Sequence, residues 1–164
     1  MPTLPASMPA APRAVYLIDT NVISEARKGR SADAGVIDFF VQAEQAHWPL
    51  YLSAVTIGEL RRGIELIRFR GDRAQARRLE TWLNTVVGDH ARHILPFDIE
   101  AVQVWGLLRA PDPSRELDKQ IAAIALVHDL PVVTRNTSDF EDTPVRVLNP
   151  FKPKPSTPPR SRDR

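Results

Sequence analysis

The sequence has no cysteine among its 164 residues. Disulfide bonds and thiolate zinc sites are therefore excluded, and the composition suits a reducing compartment. The longest uninterrupted apolar run, residues 121–127, is seven residues long, whereas a membrane-spanning helix needs about 20. Prolines interrupt the N-terminal stretch, which lacks the apolar block of a signal peptide. We therefore expect a cytoplasmic protein with no membrane partner.

Glycine-rich phosphate loops and histidine metal sites are also missing from the sequence. The seven glycines are scattered and form neither a P-loop nor a dinucleotide-binding fingerprint. The four histidines show no metal-ligand spacing, and none accompanies a nucleophile motif. His128 continues the apolar stripe of a predicted helix and is expected to pack in the core. Nucleotide binding by these motifs and histidine catalysis are therefore disfavoured.

Positive charge is concentrated at the two ends of the chain. Residues 1–13 and 150–164 hold nine of the 15 prolines. Residues 150–164 carry a net +4 and Arg13 adds one; subtracting these five charges from the overall +2 leaves residues 14–149 at −3. Net charge is therefore weak support for nucleic-acid binding. We predict one domain over residues 14–151, with disordered tails at 1–13 and 152–164.

Strand-like and helix-like segments alternate between these tails. Apolar runs predict strands at 15–18, 50–52, 93–97, 131–134 and 145–148. Apolar residues at helical spacing predict helices over 31–45, 54–68 and 117–128, with two more beginning at Asp72 and Asp98. This alternation predicts an α/β fold in which helices cover both faces of a parallel sheet.

Four carboxylates occupy positions where such a sheet binds ligands. Asp19 ends the first strand and Asp139 follows a later one, while Glu59 and Asp118 lie near the starts of helices. Ligands bind outside the carboxyl ends of parallel strands. Taken singly, each residue is explained as a helix cap, a turn former or a solvated residue. Two observations favour a shared site: Glu59 directly precedes core-facing Leu60, and Asp19 ends a strand predicted to be central, where an unpaired charge is costly.

A divalent cation would remove the repulsion between such carboxylates. Two like charges about 4 Å apart repel by about 4 kcal/mol at an effective dielectric constant of 20. Ligands that are all oxygen favour Mg²⁺ or Mn²⁺ over zinc.

Four segments of the sequence form an ordered set of motifs: VYLIDTNVISE at 15–25, SAVTIGEL at 53–60, DKQIAAIA at 118–125 and TRNTSDF at 134–140. Together they resemble the motifs of PIN-domain ribonuclease toxins of the VapC family, most closely its FitB-like branch. The resemblance spans about residues 14–151 and implies a three-layer α/β/α fold. It implies that the metal-binding and catalytic carboxylates are Asp19, Glu59, Asp118 and Asp139. The supporting polar residues that it implies are Asn21, Thr134 and Asn136.

The same resemblance implies an activity and partners. We expect a Mg²⁺- or Mn²⁺-dependent endoribonuclease, the toxin of a type II toxin–antitoxin system, that hydrolyses RNA phosphodiester bonds. Its implied partners are a VapB-like antitoxin and a second copy of the chain, in a homodimer or a hetero-oligomer. The alternative is a catalytically inactive PIN-like module that binds RNA or antitoxin. A phosphatase of the haloacid-dehalogenase type is disfavoured, because Asn21 replaces its second aspartate.

Other charged residues leave open questions. Lys119 stands where this branch usually has a small residue, and Glu116 competes with Asp118 as a ligand, although the apolar register favours Asp118. Residues 61–78 carry a net +5, which fits either solvated helix faces or a phosphate-contacting rim. The candidates for substrate binding are Arg61, Arg62 and Arg135.

Overall fold

Five short strands and six α-helices alternate through residues 14–152, the part of the chain that the computed structural model describes. The predicted tail at 1–13 and nearly all of that at 152–164 lie outside the described residues. The strands are β1 (Tyr16–Ile18), β2 (Leu50–Ser53), β3 (Ile94–Leu95), β4 (Val132–Val133) and β5 (Val147–Leu148). The helices are α1 (Thr20–Ala26), α2 (Ala34–Gln45), α3 (Ala54–Phe69), α4 (Arg73–Asp89), α5 (Ile99–Arg109) and α6 (Glu116–Val127). Two 3-10 turns span Gly29–Ser31 and Thr137–Phe140.

All strand pairs in the sheet are parallel, in the order β3-β2-β1-β4-β5. Tyr16 pairs with Leu50 on one side of β1, and Leu17 pairs with Val132 on the other. Strands β2 and β3 are therefore added on one side of β1, and β4 and β5 are then added on its other side. The carboxyl ends of β1 and β4 flank the point where the strand order reverses, which is where open α/β sheets form a ligand-binding crevice.

Side chains that alternate along the strands face two separate hydrophobic cores. Ile18 and Val133 pack with helices α1 to α4, whereas Leu17 and Val132 pack with α5 and α6. Successive strand residues point to opposite faces of a sheet, so the sheet lies between two helical layers. The predicted three-layer α/β/α fold with a central parallel sheet is confirmed.

Side-chain caps fix where most helices begin. In each of five helices, the capping side chain accepts a hydrogen bond from a backbone N–H of the first turn, and the caps are Asp19, Asp33, Ser53, Asp72 and Asp98. Helix α6 has no such bond: it begins after Arg115, whose φ of 52° is left-handed. Non-glycine residues adopt this conformation at a cost, so the start of α6 is held by other contacts.

The structure departs from the sequence predictions at several boundaries. Helix α2 begins at Ala34 rather than near 31, because a 3-10 turn ends at Ser31 and Asp33 is the cap. The core position expected for His128 is wrong: α6 ends at Val127, and His128 is exposed. Lys152 is exposed, and its backbone N–H donates to Asp33 at 3.1 Å. Within residues 14–152, no helix is long and apolar enough to cross a membrane.

Candidate functional site

Asp19 lies at the centre of the crevice between β1 and β4. It follows β1 directly, and its backbone N–H donates to the carbonyl of Val133 at 2.9 Å. Only 4% of the residue is exposed. Its Oδ1 accepts from Thr20 N at 2.7 Å and so caps α1, while Oδ2 accepts from Thr134 Oγ1 at 2.8 Å and Asn21 Nδ2 at 3.1 Å. Capping therefore occupies one carboxylate oxygen, and the other belongs to a network across the sheet edge.

Burial and hydrogen bonding act on Asp19 in opposite directions. Desolvation raises the pKa of Asp19 above its ordinary value, and the bonds from Thr134, Thr20 and Asn21 partly offset that rise. Burying a carboxylate is costly unless the group is paired or hydrogen-bonded. The three donors satisfy the carboxylate of Asp19 and fix its orientation.

Thr134 links the loop that follows β4 to this carboxylate. Its side chain is fully buried, and its Oγ1 also accepts from the backbone N–H of Asn136 at 3.0 Å. Asn21 Nδ2 approaches the same oxygen at 3.2 Å, and Asn21 Oδ1 accepts from Arg135 N at 3.0 Å. Thr134 and Asn21 thus act through their side chains, whereas Asn136 is exposed and its backbone makes this contact.

Glu59 reaches the site from the second turn of α3. Its Oε2 accepts a hydrogen bond from Thr20 Oγ1, which also lies 3.4 Å from Thr56 Oγ1. The pKa of Glu59 is raised, mainly by burial and also by the charge of Asp19, while the hydrogen bond from Thr20 and then the charge of Arg62 counteract the rise. Thr20 thus joins α1 to α3 and holds Glu59 toward the buried carboxylate.

Asp118 carries the largest perturbation in the group. Burial, and after it the charges of Asp139, Asp19 and Glu59, raise its pKa from 3.8 to about 6. Arg115 is the counteracting cation. Glu116, the competing candidate, is exposed and pairs with Arg109 at 4.0 Å. The third carboxylate of this cluster is therefore Asp118.

Asp139 lies on the 3-10 turn beyond β4. Its Oδ1 is 3.8 Å from Nε of Arg115, and the Arg115 guanidinium donates to the carbonyl of Ser138 at 3.0 Å. An arginine of the chain itself therefore stands beside the fourth carboxylate.

The four carboxylates form one electrostatic cluster without a preformed cage. Asp139, Asp19 and Glu59 each raise the pKa of Asp118 through their charges. Among residues 14–152, no three acidic or histidine side chains are placed to hold one ion in common. The donors are nonetheless all oxygen, and their repulsion is what a hard divalent cation relieves. The residue types and charge therefore fit Mg²⁺ or Mn²⁺.

The three arginines expected to bind substrate lie in different surroundings. Arg61 pairs with Glu80 at 2.6 Å and lies 3.7 Å from Glu65, so its charge is engaged between α3 and α4. Arg62 is exposed and lowers the pKa of Glu59. Arg135 is exposed and lies over the ring of Phe151 at 5.0 Å.

Sequence reasoning missed two residues that contact the cluster. Thr20 lies within the DTN segment, so its proximity to Asp19 was a usable signal for a bond to a neighbouring carboxylate. Arg115 offered no such signal, because its left-handed backbone is not readable from a non-glycine residue.

Comparison with known proteins identifies similar chains. The PIN domain family model matches residues 16–145. Plasmid stability protein StbB of Pseudomonas syringae pv. tomato is 37% identical over 143 residues, covering 84% of this chain and 99% of that protein. VapC ribonuclease Y4jK of Sinorhizobium fredii is 33% identical, with 85% and 99% covered. Toxin FitB of Neisseria gonorrhoeae is 34% identical, with 84% and 99% covered.

Solved structures share the architecture. The crystal structure of FitAcB from Neisseria gonorrhoeae aligns with a TM-score of 0.69 at 31% identity, covering 83% of this chain and 97% of that one. A toxin–antitoxin complex from Klebsiella pneumoniae aligns with a TM-score of 0.56 at 26% identity, covering 84% and 98%.

Proposed function

Since this chain belongs to the PIN-domain family, we propose that it is a Mg²⁺- or Mn²⁺-dependent endoribonuclease and the toxin of a type II toxin–antitoxin pair. The observation that carries the proposal is the pKa of Asp118, raised to about 6 by burial and by three neighbouring carboxylates. Strongly perturbed groups in a crevice are typical of active sites. Relatives named VapC ribonuclease and toxin FitB support the assignment.

The residues that would hold the ion are Asp19, Glu59, Asp118 and Asp139. When bound, a divalent cation supplies charge stabilisation at the attacked phosphate and a more acidic water. The chain contributes orientation. Thr134 and Asn21 hold the Oδ2 atom of Asp19, and Thr20 holds Glu59. Positions fixed before the substrate arrives reduce reorganisation during the reaction.

Protonation of Asp118 sets the pH at which the free site is fully charged. With a pKa of about 6, Asp118 is mostly ionised at pH 7.5 and mostly protonated at pH 5. A protonated carboxyl group is a poor ligand for a cation. We therefore expect the proposed activity at neutral and alkaline pH.

Arg62 and Arg135 are the proposed contacts for the RNA backbone. Both are exposed, and each is close to the acidic cluster: Arg62 acts on Glu59, and the backbone of Arg135 bonds to Asn21. Arginine suits phosphate because its planar guanidinium donates two parallel hydrogen bonds. Arg61 is the weaker candidate of the three, since Glu80 already engages it.

The proposed partners are a VapB-like antitoxin and a second copy of this chain. Support comes from the structural neighbour described as a toxin–antitoxin complex, which covers 84% of this chain. Purification with the antitoxin should give a stable complex with suppressed cleavage, whereas the free toxin should migrate as a dimer.

The nuclease assignment is tested with purified protein and a labelled RNA pool. Cleavage should require Mn²⁺ or Mg²⁺, stop with chelator and fall by about two orders of magnitude or more in Asp19→Asn and Asp118→Asn. Glu44→Gln removes an exposed carboxylate from α2 and serves as the matched control with full activity. Equal cleavage by all four proteins would contradict the proposal.

An inactive binding module is the second candidate function. It is favoured by the finding that no three acidic or histidine side chains in residues 14–152 share a position for one ion. This candidate predicts RNA or antitoxin binding that survives chelation, with no cleavage under any divalent ion. Binding and cleavage measured on the same RNA therefore separate the two.

A further inference from the structure

Lys119 is a fully buried lysine whose ammonium group is shared between two loops. Its relative exposure is 0%. Nζ lies 3.1 Å from Oδ2 of Asp142 and 3.5 Å from Oδ2 of Asp112, and it donates to the backbone carbonyl of Asp112. A buried ammonium group is tolerated only when it is paired and hydrogen-bonded. These contacts are therefore a built feature of the fold.

The contacts of Lys119 join the loop between α5 and α6 to the segment that follows the 3-10 turn Thr137–Phe140. Asp112 lies in the loop, where its carboxylate also accepts from the hydroxyl and backbone N–H of Ser114 at 2.6 and 2.9 Å. The pKa of Asp112 is lowered to about 2, first by Ser114 and then by Lys119, so Asp112 is an anion throughout the neutral range. Asp142 follows the turn that carries Asp139.

Residues at the start of α6 contact the 3-10 turn that carries Asp139 both before and after that residue. Before Asp139, the carbonyl of Ser138 accepts from the Arg115 guanidinium at 3.0 Å. After it, Asp142 pairs with Lys119 at 3.1 Å. Arg115 and Lys119 flank Asp118 in the sequence. The same turn of helix therefore carries one carboxylate of the cluster and anchors the segment that carries another.

The ammonium group of Lys119 is paired outside the four-carboxylate cluster. Its Nζ contacts the carboxylates of Asp112 and Asp142. The cation that lowers the pKa of Asp118 is Arg115.

We propose that Lys119 is a positioning residue that sets Asp139 relative to Asp118 through its ion pair with Asp142. The role rests on the proposed function, in which both carboxylates hold the ion. Lys119 itself contacts neither the ion nor the RNA. It fixes the separation of two ligands that come from different segments, which determines how tightly they close on a cation.

The test compares Lys119→Met with Lys28→Met in the full chain. Lys28 forms an exposed pair with Glu25 at 2.6 Å and is the matched control. Mn²⁺ binding is titrated calorimetrically at pH 7.5, and amide hydrogen exchange is measured without metal. Lys119→Met should weaken Mn²⁺ binding about tenfold or more and speed exchange within residues 137–142. Lys28→Met should change neither.

A stability role alone gives a different result. Lys119→Met would then melt earlier while its Mn²⁺ dissociation constant and the exchange of 137–142 stayed at wild-type values, which overturns the proposal. Asp142→Asn leaves Lys119 paired with Asp112 and should weaken Mn²⁺ binding severalfold. It replaces Lys119→Met if that variant does not fold. If both variants fold, their effects on Mn²⁺ binding should not add in the double variant.

The two proposals fail separately. A wild-type protein that neither binds Mn²⁺ nor cleaves RNA contradicts the proposed function. The positioning role is then judged by exchange alone, and unchanged exchange of residues 137–142 in both Lys119→Met and Asp142→Asn overturns it.

Discussion

The ionised side chain of Asp118 lowers the free energy of unfolding of the metal-free protein. In the folded chain its pKa is about 6, against an ordinary value of 3.8. The folded state therefore holds this proton more tightly than the unfolded state does. By linkage, the free energy of unfolding falls as the pH rises from about 3.8 to about 6. Above that window the metal-free protein carries a destabilising charge.

Asp118→Asn should therefore stabilise the metal-free protein at pH 7.5. The gain is on the order of 1 kcal/mol, because solvent screens a half-buried group, which corresponds to about 2–4 °C in melting temperature for a domain of this size. The advantage should shrink as the pH falls from 6 and vanish below 3.8. Melting curves in chelator across this range provide the measurement.

Glu44→Gln controls for the loss of any one negative charge and should melt like wild type at each pH. A melting temperature of Asp118→Asn at or below wild type at pH 7.5 would mean that this carboxylate favours folding, as a residue at a helix N-terminus does.

Individual site residues differed in how far the sequence could predict them. Asp19 and Thr134 each follow an apolar strand, so their meeting at the sheet edge follows from parallel topology. Lys119 could not be interpreted in the same way. Its neighbours in space, Asp112 and Asp142, are set by two loops whose paths carry no periodic signal. The left-handed backbone at Arg115 is likewise not predictable from sequence, because non-glycine residues rarely adopt it.

At the scale of elements, the last described residues pack across the start of α2. A Cβ atom at Gly35 would lie 2.1 Å from the carbonyl oxygen of Pro150 and 2.9 Å from N of Lys152. Asp33 accepts from Lys152 N at 3.1 Å, and Lys152 Nζ lies 3.0 Å from Asp38. Glycine is needed here for close approach of two backbones.

Gly35→Ala should therefore lower the melting temperature by at least about 2–4 °C, the equivalent of 1 kcal/mol or more. Alanine is the better helix former by up to about 1 kcal/mol, so the steric conflict has to exceed that gain. Gly106→Ala in α5 is the matched control: nothing lies within 4 Å of the added Cβ, and the variant should melt slightly higher than wild type. An equal rise in melting temperature in both variants would show that residues 150–152 do not pack against α2 in solution.

The elements themselves were largely predictable from sequence, because apolar periodicity and capping residues are local signals. Asp72 and Asp98 cap helices where expected. Four of the five strands proved shorter than the predicted runs, since pairing rather than composition ends a strand; β4 covers only Val132 and Val133. Strand β2 instead extends one residue further than predicted, to Ser53. His128 followed the periodicity of α6 but lies beyond its end, a point that the stripe alone does not reveal.

At the scale of the whole molecule, the proposed cation site would couple cation binding to folding and to pH. A ligand at a hundred times its dissociation constant stabilises a protein by about 2.7 kcal/mol, so Mn²⁺ at that excess should raise the melting temperature by about 5–10 °C at pH 7.5. At pH 5, protonation of Asp118, with its pKa of about 6, should weaken binding about tenfold and cost about 1.4 kcal/mol of that gain. Scanning fluorimetry at matched ionic strength checks this.

The Asp118→Asn variant should show a smaller Mn²⁺ shift that varies less between these two pH values. An equal shift at pH 5 and pH 7.5 in the wild-type protein would contradict competition between the proton and the cation.

The order of the strands has a consequence for synthesis. The sheet begins at β1, but β4, which pairs beside it, and the turn that carries Asp139 come near the end of the chain. A polypeptide that stops before residue 134 contains Asp19 and Glu59 without the Thr134 hydroxyl or the fourth carboxylate. Incomplete products of translation, whether stalled on the ribosome or truncated by a nonsense codon, therefore lack the finished site. Under the proposed function, RNA cleavage therefore requires synthesis to have passed Asp139.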